Sequence, residues 1–120
     1  MAIRSVVLAA AALSALFAQP AAAQAPRAKW IQTGDVVAQS TGNNQTTKTC
    51  INPQAGYSFD VTSAKFIRTV NTDNAGGAQN ESEVESASPN EVCFKVVSRP
   101  LTKRSTAVIK GYGRVKQVED

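Results

Sequence analysis

Apolar and polar residues alternate along most of this chain, and the alternation predicts strands. Residues 91–99 (EVCFKVVSR) place Val92, Phe94 and Val96 on one side and Cys93 and Val97 on the other, the pattern of a strand covered on both faces. Residues 105–118 read as a final long strand whose two faces differ. Ala107, Ile109, Gly111, Gly113 and Val115 make a lean apolar face; Val108, Lys110, Tyr112, Arg114 and Lys116 make a basic face with one aromatic. Tyr57, Phe59 and Val61 alternate with Ser58, Asp60 and Thr62 as in a half-buried strand. The phase changes near Ser63 and Ala64, and Phe66 beside Ile67 predicts a bulge or a division into two strands.

A short strand over 47–52 carries Cys50 and is closed by Pro53 and Gly56. Residues 30–39 read as one strand, or two short ones, around Gly34 and Asp35. Residues 81–88 form a polar, edge-like segment. Turn composition predicts loops at 40–47 (STGNNQTT) and 71–80 (NTDNAGGAQN) and a turn at 100–104. Beyond residue 23, no stretch holds apolar residues at helical spacing for more than two turns. Short strands between turn signals predict an all-β fold: a small Ig-like antiparallel β-sandwich of six to seven strands with one intersheet or interstrand disulfide. A small β-barrel is the alternative.

The first residues follow a different pattern. Arg4 is the only charge before residue 27, and an apolar run (VVLAAAALSALFA) follows it, then Pro20 and Ala21, Ala22 and Ala23. A positive start, an apolar stretch and a small-residue cleavage site predict a cleavable secretory signal over 1–23. The run is about 13 residues, too short to cross a bilayer that needs about 20. Residues 24–29, with Pro26, read as a flexible leader, and 30–120 as a single β domain. The mature chain is thus expected to be exported to the periplasm or beyond, with no membrane span.

Export changes the reading of the cysteines. Cys50 and Cys93 are the only two in the chain, and an oxidising compartment favours their pairing. Such a bond suits a domain of 97 residues, what remains of 120 once 23 are removed, whose core is short of large side chains. Free thiols for metal or catalysis are disfavoured, because the chain has no His and no C-x-x-C spacing.

Lack of His also removes the commonest general base. Thr62 and Lys65 have the spacing of a hydroxyl-x-x-lysine pair, but Thr stands for the usual Ser and a strand turns the two apart. Glu81, Glu83 and Glu85 alternate on one strand face beside Asn71, Asp73, Asn74 and Asn80, an oxygen-rich set. Ala75 and Ser82 stand where a calcium loop needs ligands, so a charged edge that resists aggregation is favoured. Asn44-Gln45-Thr46 and Asn80-Glu81-Ser82 fit a glycosylation pattern that arises readily by chance. No catalytic residue, metal or cofactor is expected.

Charge distribution is the remaining signal. The net charge of +4 is modest, yet residues 95–116 hold seven basic residues and no acidic one, while 81–91 hold four glutamates and no basic one. Lys110, Tyr112, Arg114 and Lys116 on one strand face, with Lys103 and Arg104 in a nearby turn, are the candidate anion-binding face. Outside the cytoplasm its partners would be lipopolysaccharide phosphates, acidic polysaccharides, teichoic-type polymers, released nucleic acid or another exported protein. Nothing points to specific nucleic-acid recognition. The competing reading is a solvated face balanced by the glutamates. The expected function is therefore a non-enzymatic binding or structural module of the cell envelope, bacterial by the look of its alanine-rich signal. The alternative is an enzyme inhibitor or accessory protein that docks through loops 40–47 and 71–80.

Overall fold

The computed structural model describes residues 27–74 and 76–120, so the expected signal segment lies outside the described residues. The described residues form eight strands: β1 (Ala28–Gln32), β2 (Val36–Thr41), β3 (Gln45–Ile51), β4 (Tyr57–Phe59), β5 (Lys65–Asp73), β6 (Glu81–Ser88), β7 (Glu91–Ser98) and β8 (Thr106–Glu119). All pairings are antiparallel. They form a five-stranded sheet built on β8 and a three-stranded sheet in the order β3-β7-β6. The sheets do not close on one another, so the fold is a small β-sandwich and not a barrel.

β8 is long enough to pair twice on each edge. One edge takes β2 along residues 106–111 and β1 along 114–118; the other takes β5 along 107–114 and β4 along 117–119. The eight strands therefore fill six strand positions, three per sheet. The interrupted segment expected at residues 30–39 is two collinear strands, and the first of them begins at Ala28, inside the expected leader.

The alternation of β8 holds along its length. Ala107, Ile109, Gly111, Gly113, Val115 and Gln117 are buried, and the intervening residues face outward. Against this inner face β7 lays Val92, Phe94 and Val96, each fully buried. Phe94 meets Phe66 edge to face at 5.4 Å, a favoured geometry for aromatic rings. Gly113 makes room for Phe94: a Cβ there would lie 2.2 Å from the Phe94 ring. The gap in the side-chain row of β8 is thus filled from the opposite sheet. Buried Gln117 is satisfied by Gln54, whose backbone N–H donates to its side-chain oxygen at 2.9 Å.

Cys50 and Cys93 are direct cross-strand partners on β3 and β7 and are joined by a disulfide. Of the two placements expected, the bond is interstrand. It staples neighbours within one sheet, and the two sheets are held together chiefly by apolar packing, with a hydrogen bond between the Ser40 and Ser98 hydroxyls.

Three further sequence expectations change. The strand at Tyr57 stops at Phe59, and Val61–Ser63 is a single 3₁₀ turn. Asp60 causes the break, because its carboxylate accepts from the backbone N–H and the hydroxyl of Thr62. The loop expected at 40–47 shrinks to residues 42–44, since β2 runs to Thr41 and β3 starts at Gln45. Likewise β5 runs to Asp73, into the start of the loop expected at 71–80. Pairing with β8 outweighs local turn composition in that stretch.

Candidate functional site

The outward residues of β8 and its neighbours form rows across the five-stranded sheet, because paired residues share a face. Val37 and Val70 flank Lys110; Arg68 lies beside Tyr112; Gln32 and Lys65 flank Arg114; Trp30 lies beside Lys116. Rows lie about 6.5–7 Å apart along the strand, so the cations from Lys110 to Lys116 extend over ~20 Å. Every row of this stripe contributes at least one: Lys110, Arg68, Arg114 with Lys65, then Lys116.

Two bulges break the sheet beside Tyr112. Between Gln32 and Val36 the outer strand takes four residue steps while β8 takes three, from Arg114 to Gly111. Across β8, the pairing of β5 shifts between Phe66 and Arg68. Thr33 anchors the first bulge: its N–H donates to the Gly113 carbonyl at 2.9 Å, and its hydroxyl accepts from the Gly113 N–H at 3.0 Å. Bulges bend strands and re-aim side chains. Here they open a depression of about 290 Å³ lined by Asp35, Arg68, Val70, Lys110, Gly111 and Tyr112.

Most of the cations on this face lack a carboxylate partner. Lys116 lies 3.8 Å from Asp60, but among the described residues Lys65, Arg68, Lys110 and Arg114 form no ion pair. The Arg114 guanidinium rests over the Trp30 ring at 4.3 Å, a cation–π contact. Its Nε–H is buried and has no acceptor among the described residues. The arginine is positioned by a ring rather than by acceptors.

The glutamates do not reach this face. Glu81, Glu83 and Glu85 belong to β6, on the outer surface of the other sheet, where they pair with different cations, and Glu91 opens β7. Lys48 meets Glu85 at 3.0 Å, Lys95 meets Glu83 at 3.3 Å and Glu85 at 3.7 Å, and Arg99 meets Glu81 at 3.1 Å. The hydrogen bond from Lys48 holds the Glu85 carboxyl below the usual carboxylate range. The bond to Glu83 holds the Lys95 ammonium above the usual lysine range.

The candidate residues thus separate. Lys110, Tyr112, Arg114 and Lys116 share one exposed face, as the alternation implies. Lys103 and Arg104 sit in the turn before β8, at the end of the sheet beside Gly42, and do not line the depression. Lys65, Arg68, Asp35 and Trp30 join the face only through strand pairing; no local pattern marks them in the sequence.

Other candidates are used structurally. Asn74 accepts from the Thr106 N–H, Asn80 accepts from the Arg99 N–H, and Asp73 accepts from the N–H groups of Gly77 and Ala78. Asp73 braces its own loop, and Asn74 and Asn80 tie that loop to β8 and to the end of β7. Among the described residues, Cys50, Cys93 and Glu91 are the one grouping of metal-ligand type, and its two sulfurs are bonded to each other. No protein-family model, curated protein or solved structure matches this chain.

Proposed function

We propose that this protein is an exported, non-enzymatic binding module of the cell envelope that holds an anionic partner on the outer face of its five-stranded sheet. The observation that carries this reading is the separation of charge. Glu81, Glu83 and Glu85 are consumed by Lys48, Lys95 and Arg99 on one sheet, while four cations on the other lack a carboxylate partner among the described residues. Unpaired cations on a rigid surface attract polyanions and concentrate them by long-range field, and salt weakens the attraction. Rigidity comes from the sheet itself, whose backbone bonds fix the spacing of the charges.

The test is retention of the oxidised protein on immobilised heparin and lipopolysaccharide. Retention at low ionic strength, lost at moderate salt, is the expected result. A Lys110/Arg114/Lys116→Ala variant removes three cations worth about 1 kcal/mol each against an anionic surface, a loss of about 100-fold in affinity. Failure of the native protein to bind at low salt, or undiminished binding by a folded variant, refutes the reading.

A further inference from the structure

We infer that the depression at Tyr112 is the subsite for one sugar ring of a linear acidic polysaccharide that lies along β8. The inference rests on the polyanion-binding reading above and narrows it to one class of ligand.

Asp35 decides the class. A surface built only to attract phosphate or sulfate gains nothing from a carboxylate at its centre, which repels the ligand. Yet the bulge at residues 33–35 brings Asp35 into the same depression as Arg68, Lys110 and Tyr112. A carboxylate is a pure acceptor, and its natural partners on a ligand are hydroxyl groups. Arginine and lysine beside it are donors suited to a carboxylate. A uronic-acid unit carries both features on one ring: vicinal hydroxyls and a carboxylate. Tyr112 and Val70 supply the apolar wall on which the C–H face of such a ring packs. The volume of about 290 Å³ lies at the small end for ligand pockets, the scale of a single ring rather than a multi-ring ligand.

Nucleic acid fits the same surface poorly. Bases need free aromatic faces on which to stack, but Arg114 occupies one face of the Trp30 ring, and a phosphate seated at Tyr112 would meet Asp35. The remaining cations extend the site beyond the subsite. Lys65, Arg114 and Lys116 continue the stripe on one side of Tyr112, so a chain anchored in the depression meets further charges along ~20 Å of strand.

Oligogalacturonates of defined length, long heparin-type chains and oligodeoxythymidylate are titrated into the oxidised protein by calorimetry, with Asp35→Ala and Tyr112→Ala variants. For the native protein, affinity for the oligogalacturonates rises with length and levels off once the stripe is spanned. Asp35→Ala weakens oligogalacturonate binding about tenfold, the size of a lost charged hydrogen bond, and strengthens oligodeoxythymidylate binding. Opposite signs for the two ligands are the signature of hydroxyl recognition. Tyr112→Ala weakens the oligogalacturonates and leaves the nucleotide polymer unchanged.

If Asp35→Ala tightens every polyanion alike, the site senses charge only and this inference fails, while the broader reading stands. If the native protein binds none of the three at low salt, both fail. Asp35 is exposed, and an unchanged thermal melt for its variant keeps the comparison a test of binding.

Discussion

The outer faces of the two sheets are built from the same materials and treat charge in opposite ways. On the three-stranded sheet, Lys48 and Lys95 are direct cross-strand neighbours, a like-charge pair that disfavours strand association. Glu85 bridges both, and Glu83 and Arg99–Glu81 complete a ladder of opposite signs. On the five-stranded sheet, Lys65 and Arg114 are also cross-strand neighbours, but no carboxylate among the described residues lies between them. One face settles its own electrostatics and the other leaves them to solvent or a ligand. Charge alone does not mark a functional surface; charge that the fold could have neutralised and did not is the better sign.

The two sheets also differ in how they are stabilised, and the largest effect should come from that difference. The disulfide belongs to the ion-paired sheet, closing a loop with a sequence separation of 43. In the chain-entropy account such a loop contributes about 4 kcal/mol. A Cys50/Cys93→Ala variant should lose about that much in denaturant unfolding, yet bind heparin like the native protein while folded. Loss of binding in the folded variant would mean that the staple shapes the opposite face too.

Next in size is the notch that joins the sheets. Gly113→Ala places a methyl group against the ring of the fully buried Phe94. Overpacking of this kind costs about 1–3 kcal/mol, and the midpoint of urea unfolding should fall accordingly. Thr33 bonds to both backbone groups of Gly113, so displacement of this strand should also disturb the first bulge. A weakened oligogalacturonate affinity in the folded Gly113→Ala variant is therefore expected, where the disulfide variant shows none.

Much of this was legible in the sequence, and the part that was not has a physical reason. Alternation in β8 separates Ile109 and Val115 from Lys110 and Arg114 because a half-buried strand has a period of two. Cys50 and Cys93 pair because the number and setting of the cysteines leave one pairing. The Phe66-Ile67 irregularity and the Gly34-Asp35 interruption were visible as breaks in pattern. Their meaning was not, because a bulge acquires direction only from the strand it faces. That both lie beside Tyr112 depends on β8 pairing with segments some 45 and 80 residues away, and no local window contains that. Arg68, Lys65 and Asp35 were missed for this reason. The glutamates illustrate the reverse: their alternation was plain, but the cations they neutralise could be assigned only from the register of β6 against β7.

A smaller effect follows from removing the paired cations in place of the open ones. Lys48/Lys95/Arg99→Ala deletes as much positive charge as Lys110/Arg114/Lys116→Ala. If binding followed net charge, both variants would lose it equally. On the separation described here, the first retains its elution salt on heparin and shows a modestly lowered Tm, because unpaired glutamates remain on its surface. Equal loss in both would erase the distinction between the faces.

The smallest effect is the most direct measure of the ladder. Glu85 titrates below the usual carboxylate range, chiefly through its hydrogen bond with Lys48. A carboxyl whose pKa is lower folded than unfolded contributes stability above the unfolded value, and that contribution is lost as pH falls through the folded value. Lys95, raised chiefly by Glu83, works from the other side: its contribution is present below the unfolded lysine value and lost as pH rises through the folded one. The ladder is therefore complete across the whole range between the carboxylate and lysine titrations. In an NMR titration of the side-chain carboxyls, Lys48→Met should move the Glu85 midpoint upward. A Glu85 midpoint indifferent to Lys48 would show that the pairing does not persist in solution. The glutamates would then be free to offset the positive field, and the contrast between the two faces would be one of position without consequence for charge.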